Sequence, residues 1–293
     1  MTVTVNPPPL DESLYSLDEE ELAFFKSQTG IDDEAELKEH ILAIQAKAYK
    51  VFPYTCIRRF MFTKLRVLRS PFFERSLQLA KDRKDAIFVD AGCNFGHDLR
   101  KVVSAGWPVE NTVAFDLEQA FWDYGHELFR STPEIFSAAF VAGDVFAPSM
   151  IMPRAPFYEE PRTPRPNLRS LTTSLTPLQG FVTAVHASAF FHLFDEKQQL
   201  QAAHQLATLL SPVPGSIIFG LHGGLPVKGI KATRFYDKNM FCHSPESWKE
   251  LWDGQVFAKG TVRVEAVLRE SQHFGDATTG EKFFFLVWCV TRL

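Results

Sequence analysis

From residue 86 onward the chain alternates short β-rich runs with helical stretches, and few folds accommodate that rhythm. The β-rich runs fall at residues 87–89, 113–115, 140–141, 181–185, 217–219, 262–268 and 283–290. Such alternation predicts an α/β fold with a mostly parallel sheet and helices on both faces, because parallel neighbours need a long crossover, usually a helix. Only a short turn region, residues 273–280 with two glycines, separates the last two runs. They are therefore expected to pair antiparallel, giving a seven-stranded sheet with an antiparallel last strand.

Ahead of this region, residues 1–80 read as a helical lid or substrate cap, and residues 81–293 as the main domain. Residues 1–12 read as a flexible leader, since Pro7, Pro8 and Pro9 cannot feed a helix interior. A helix is expected over 17–26, stopped by Gly30. A second starts after Asp32 or Asp33 and carries Leu37, Ile41, Leu42 and Ile44 at helical spacing towards residue 51. Residues 54–73 are basic and aromatic, and helical character returns to residue 79. One stretch, 148–177, breaks the rhythm with Pro153, Pro156, Pro161, Pro164 and Pro166. It reads as a long surface loop, either a disordered insertion or a flap over an active site.

Bulk properties exclude several function classes. The 293 residues, 45% of them hydrophobic, are enough for one large α/β domain with a full core and a modest appendage. A net charge of -4 gives no electrostatic case for binding nucleic acid. No apolar run approaches the roughly 20 residues that span a bilayer. The opening M-T-V-T-V-N-P-P-P lacks the basic and apolar regions of a signal peptide, so a cytoplasmic protein without membrane insertion is expected. Cys56, Cys93, Cys242 and Cys289 form no C-x-x-C pair, which leaves reduced thiols and no metal site as the expectation. The oligomeric state is not readable, and a homo-oligomer stays open. There are 28 phenylalanines against 6 tyrosines, a surplus that suits a core and an apolar ligand pocket alike.

The chemistry begins at Asp90-Ala91-Gly92-Cys93-Asn94-Phe95-Gly96, which follows the first expected strand and opens a helix. Glycines there let backbone approach a ligand and pack the helix on the strand. Asp116 ends the next strand 20 residues beyond Gly96, where an acid can take both hydroxyls of an adenosine ribose. A dinucleotide fingerprint, G-x-G-x-x-G counted from Gly92, would need glycine at Asn94 and His97. The pattern acid-x-G-x-G-x-G of S-adenosylmethionine (SAM) sites needs Asp90, Gly92, position 94 and Gly96. Three of these match, and asparagine is the non-glycine residue that best accepts left-handed angles. An acid at the start also suits a ligand with a sulfonium and an ammonium, whereas a pyrophosphate would be repelled. Gly143-Asp144-Val145-Phe146 follows the third strand, where Asp144 can bond the adenine amine and the Val145 N–H a ring nitrogen. In isolation Asp144 would read as a turn cap.

At this point the chain resembles a known family. D-A-G-C-N-F-G-H-D-L-R-K-V, F-W-D-Y-G-H-E-L-F, G-D-V-F, A-S-A-F-F-H-L-F-D-E-K-Q-Q and L-L-S-P-V-P-G-S-I-I-F-G look like the fungal O-methyltransferases of meroterpenoid and polyketide pathways. The likeness runs over residues 54–293 and includes Tyr54-x-x-x-Arg58-x-Phe60. It implies a class I methyltransferase, Rossmann-like fold and methyl transfer to a carboxylate or acidic hydroxyl of an apolar natural product, with S-adenosylhomocysteine (SAH) as by-product. Leu221-His222-Gly223-Gly224 and the long 148–177 loop depart from the pattern and bear on substrate choice.

The residues expected around SAM are Asp90, Gly92, Cys93, Asn94, Gly96, Asp116, Leu117, Asp144, Val145 and His186, with Arg58 and Tyr54 reaching the methionyl carboxylate from the lid. His192 is the candidate catalytic residue, as a base for a phenol or enol, or as a positioning group for a carboxylate. His186 and His192 also fit an ordinary buried role, and Arg58 a structural one. Phe190, Phe191, Arg234 and Tyr236, with Phe235, are candidates for a small-molecule substrate pocket. A second reading stays open, a SAM-binding protein that transfers no methyl group. Formation of SAH separates the two.

Overall fold

The computed structural model describes residues 7–232, 239–276 and 281–293, and side chains outside 272–276 and 281. The N-terminal part forms α1 (Glu19–Thr29), α2 (Glu34–Val51) and the short α3 (Thr55–Arg58), and α4 (Phe73–Asp82) leads into the sheet. Then follow β1 (Ile87–Ala91), α5 (His97–Ser104), β2 (Thr112–Asp116), α6 (Gln119–Leu128), β3 (Ala139–Ala142), β4 (Val182–His186), α7 (Glu196–Leu209) and β5 (Ile217–Gly224). The chain closes with β6 (Gly229–Lys231), β7 (Met240–Cys242), α8 (Pro245–Trp252), β8 (Val262–Asp276) and β9 (Glu281–Arg292).

Local chemistry explains the boundaries. Asp18 and Glu21 form a reciprocal capping box at the start of α1, and Gly30 ends it with φ +68°. Asp33 caps α2 through the Glu36 N–H at 2.8 Å. In β1 every residue is buried, with Ile87, Val89 and Ala91 facing one core and Phe88 the other. That is how a strand covered on both faces divides its side chains.

The seven-stranded sheet has the order β3-β2-β1-β4-β5-β9-β8. β1 is parallel to β2 and β4, β2 to β3, and β4 to β5, while β9 runs antiparallel to both β5 and β8. This is the class I methyltransferase arrangement. Strand order reverses between β1 and β4, so the crevice for a ligand opens at their carboxyl ends. Register sets Asp90 directly beside His186 there.

The cap is packed onto this domain. Phe24, Phe25, Ile41, Ile44, Ile57 and Phe60 share one core with Phe95, Phe121, Leu128 and Phe129. Residues 7–12 are held rather than flexible: Pro8 O accepts from Tyr49 Oη at 2.8 Å and Pro9 O from Arg58 Nε at 2.7 Å.

The 148–177 segment is neither a disordered insertion nor a flap. Met150, Ile151, Leu168, Leu171 and Leu175 bury themselves in the main core, because apolar residues interleave its prolines. Tyr158 Oη accepts from the Ala258 N–H at 2.7 Å, and no residue of the segment lines the cavity described below. The β6–β7 hairpin has no counterpart in the sequence reading, and β8 and β9 run past the expected 262–268 and 283–290. All four cysteines are free thiols. Among the described residues no helix is long and apolar enough to cross a membrane.

Candidate active site

Three residues of the glycine turn adopt left-handed angles: Gly92 (φ +67°), Asn94 (φ +52°) and Gly96 (φ +70°). The Gly92 and Cys93 N–H groups donate to Phe115 O at 2.9 and 3.1 Å, and Asn94 N–H donates to Asp116 Oδ2 at 2.8 Å. The turn is thereby stitched to the end of β2. A Cβ at Gly92 would lie 2.8 Å from Phe190 Cδ2, and one at Gly96 2.7 Å from Trp122 Cζ3. The space Gly92 leaves is filled by Phe190, so the glycine serves aromatic packing beneath the site.

Acids stand at three successive strand ends. Asp90 is buried; its Oδ1 meets His186 Nδ1 at 2.8 Å, while Oδ2 has no partner. His186 Nε2 meets Ser188 Oγ at 2.7 Å. Burial works against a charged His186, but the hydrogen bond and charge of Asp90 outweigh it and raise its pKa. Asp116 also accepts from the Glu118 N–H at 3.3 Å. Burial raises its pKa, opposed by the N–H groups of Asn94, Glu118 and Leu117. Leu117 is exposed beside it, Asp144 accepts from the Phe146 N–H at 2.9 Å, and Val145 is buried.

These acids open onto a cavity of about 1390 Å³. Its lining takes Asp90, Gly92, Cys93, Asn94, Asp116, Leu117, Asp144, Val145 and His186 from the strand ends, and also includes Phe190, His192, Phe194, Met240, Phe241, His243 and Leu251. The cap supplies Phe52, Tyr54, Cys56, Phe62 and Arg66. Such a volume exceeds the usual single-ligand pocket and suits two ligands at once. Burial, then the charge of Asp116, pushes the Tyr54 phenol up to about 12. Burial raises the Cys93 thiol well above its ordinary range.

Desolvation and the nearby Arg66 push the half-buried His192 down to about 3, which favours its neutral imidazole. His243 is pushed down to about 4, chiefly by burial and then by Lys228. Its Nδ1 meets Ser247 Oγ at 2.9 Å and its Nε2 is buried without a partner.

Two expected residues lie elsewhere. Arg58 does not line the cavity: besides Pro9 O, its guanidinium lies 4.0 Å from Asp11 Oδ2. α3 is a single turn, and it directs Arg58 along the leader. Phe191 is fully buried in an aromatic core with His222, Trp248, Trp252 and Trp288, not in the cavity wall. Gly96 supports the turn from behind, against Trp122. Arg234, Phe235 and Tyr236 lie outside the described residues.

Arg66, His97 and His243 line the cavity and were not anticipated. Only His97 carries a signal, since it follows Gly96 at the first position of α5.

Residues 10–63 match a family model described as the meroterpenoid methyltransferase N-terminal domain. The O-methyltransferase phiE of a fungal species is 34% identical over 245 residues, covering 83% of this chain and 73% of phiE. The Asnovolin E/Chermesin D methyltransferase nvfJ of Aspergillus novofumigatus is 30% identical over 217 residues, covering 74% of this chain and 69% of nvfJ. The chain spans 63% to 73% of the length of such curated relatives. Among solved structures, the Burkholderia thailandensis 1,6-didemethyltoxoflavin-N1-methyltransferase with bound 1,6-didemethyltoxoflavin and SAH is 14% identical. That match covers 86% of this chain and 89% of the other, with a TM-score of 0.49.

Proposed function

This chain belongs to the fungal O-methyltransferases of secondary metabolism, and from that premise we propose that it moves a methyl group from SAM to a carboxylate or acidic hydroxyl of an apolar natural product of meroterpenoid or polyketide type. The observation that carries this reading is one cavity whose lining joins acids at three strand ends with a second set of aromatic and histidine side chains.

The acid wall fits SAM. Asp90 Oδ2, buried and without a partner, needs a cationic donor and would repel a pyrophosphate. It suits the ammonium. In this reading Asp116 takes the ribose hydroxyls, Asp144 and the Val145 N–H the adenine edge, and the exposed Leu117 the adenine face. When bound, SAM supplies an electrophilic methyl carbon on a sulfonium.

The aromatic and histidine part of the lining would orient the acceptor and keep water out. Phe190, Phe194, Met240 and Phe241 supply apolar surface. His192, held neutral with so low a pKa, is a poor proton acceptor for a phenol. It is suited to hydrogen-bond an oxygen that arrives already ionised, which favours the carboxylate. The same proposal places the enzyme in the cytoplasm, acting on a small molecule and not on nucleic acid. Incubation with methyl-labelled SAM and a panel of polyketide and terpenoid acids should yield SAH and a product heavier by one methyl. SAM binding without SAH across that panel would sink the transfer reading and favour a non-transferring SAM-binding protein.

A further inference from the structure

A buried polar atom without a partner marks where a ligand is to complete the hydrogen bonding. Among the described residues, three side chains of the cavity lining carry such atoms: Asp90 and His97, which flank the glycine turn, and His243. His243 stands apart from the other two, on the segment that joins β7 to α8. The residue is 3% exposed, and Nε2 is the atom left over. Met240 and Phe241 before it and Leu251 after it supply apolar lining from the same part of the chain.

The hydrogen bonds on the other edge of the ring decide which nitrogen carries its proton. Ser244 caps α8, and Ser247 is its partner in a reciprocal capping box. Ser247 Oγ accepts from the Ser244 N–H at 3.0 Å and from the Ser244 hydroxyl at 3.4 Å. A hydroxyl oxygen has two lone pairs and one proton, so both lone pairs are taken. What Ser247 has left to give is its proton, and His243 Nδ1 at 2.9 Å lies closer to receive it than Ser244 O at 3.3 Å. Burial, then Lys228, keeps the imidazole neutral against the pull of Glu196, so the ring holds one proton only. With Nδ1 accepting, that proton is on Nε2. The unpartnered atom is therefore a donor, and Lys228, the nearby cation, is already paired with Glu196 at 2.7 Å.

Resting on the proposed methyl transfer, we propose that His243 donates its Nε2–H to an oxygen of the acceptor, and that Ser247 fixes the tautomer that makes this possible. His192 and His243 both lie near enough to His222 to act electrostatically on its ring, which sets them in one region of the lining. A neutral N–H can hold a carboxylate oxygen without protonating it, so the contact orients the acceptor and leaves its charge for attack on the methyl carbon. An analogue without that oxygen would leave the buried N–H unpaired and be rejected.

The test uses the full chain, SAH and the acid of the panel above that wild type methylates fastest. Nitrogen NMR of histidine-labelled protein, with His243 assigned by its absence from His243→Gln, should show the Nε2–H tautomer. Adding the acid to the SAH complex should shift that N–H. His243→Leu should raise the acceptor KM about 10- to 100-fold, the range for a hydrogen bond to a charged group, with kcat little changed. His243→Gln, which keeps an N–H, should lose less than about 5-fold. Ser247→Ala should fall between, with His243 a mixture of tautomers. SAH affinity by calorimetry should stay as in wild type, which separates a lost contact from a damaged fold. The tautomer and the shift are read on wild type and decide the matter if the leucine variant fails to fold. An Nδ1–H tautomer, an N–H that the acid does not move, or equal KM increases in His243→Leu and His243→Gln would overturn the assignment. Wild type that methylates no acid of the panel would instead overturn the methyl-transfer reading, and this inference with it.

Discussion

Gly92→Ala tests whether the glycine turn is shaped by the aromatic packing beneath it. Two costs follow from the structure. Gly92 sits at φ +67°, where an L side chain costs roughly 1–2 kcal/mol. The new Cβ would stand 2.8 Å from Phe190 Cδ2 and 3.6 Å from Cε2, an overpacking that costs about 1–3 kcal/mol. The sum, about 2–5 kcal/mol, is a large share of a typical domain's stability of about 5–15 kcal/mol. Only the second part depends on Phe190, so the Phe190→Leu background separates them. Urea unfolding of wild type, both single variants and the double variant gives the coupling. The double variant should recover about 1–3 kcal/mol relative to additivity and retain the conformational cost. SAH binding should follow the same pattern, because a displaced Phe190 moves within the cavity wall. Additivity within about 0.5 kcal/mol would refute the steric account. Lost SAH binding that Phe190→Leu does not restore would mean that the glycine leaves room for the ligand itself.

Asp116→Ala should weaken SAH binding by about 1.5–3 kcal/mol by calorimetry, and it should also lower the Tm, because Asp116 accepts the Asn94 N–H that shapes the turn. Unchanged affinity would remove Asp116 from the ribose role. His192→Gln should raise the acceptor KM more than it lowers kcat; a rate loss of about 100-fold or more, rescued by raising pH, would restore the base mechanism. His192 loses its proton near 3 when folded but near 6.5 when unfolded, so the unfolded chain binds more protons between those values. Tm should therefore fall as pH drops below about 6.5, less steeply in His192→Gln, and an equal slope in both proteins would contradict the lowered pKa of the ring. Deleting residues 1–50 should leave α/β circular dichroism while turnover collapses, since α1 and α2 support the cap residues that line the cavity; full turnover would reduce those helices to a stabilising role.

What can be read from sequence depends on whether backbone geometry is periodic at the position concerned. Gly92, Asn94, Gly96, Asp116 and Asp144 are tied to strand ends, where pattern predicts placement, and all except Gly96 line the cavity. The cap has no such period where it matters. Residues 58–69 carry Arg58, Arg59, Lys64, Arg66 and Arg69 through a single-turn α3, a 3-10 turn at Met61–Thr63 and Phe60 at φ +55°. No repeat there links sequence position to direction, so that Arg66 lines the cavity and Arg58 does not is invisible until the chain is folded. Phe190 and Phe191 fail for the same reason. They follow Ala189, at φ +53°, and neighbouring rings part, one to the cavity and one into the tryptophan cluster. His243 lies beyond two three-residue strands, too short for alternation to show. The residues proposed for the cofactor lie at the regular strand ends, and those proposed for the acceptor on the irregular segments between and before them. In this chain the glycine turn and its acids are therefore legible in sequence sooner than the proposed acceptor surface, which is built where no periodicity constrains it.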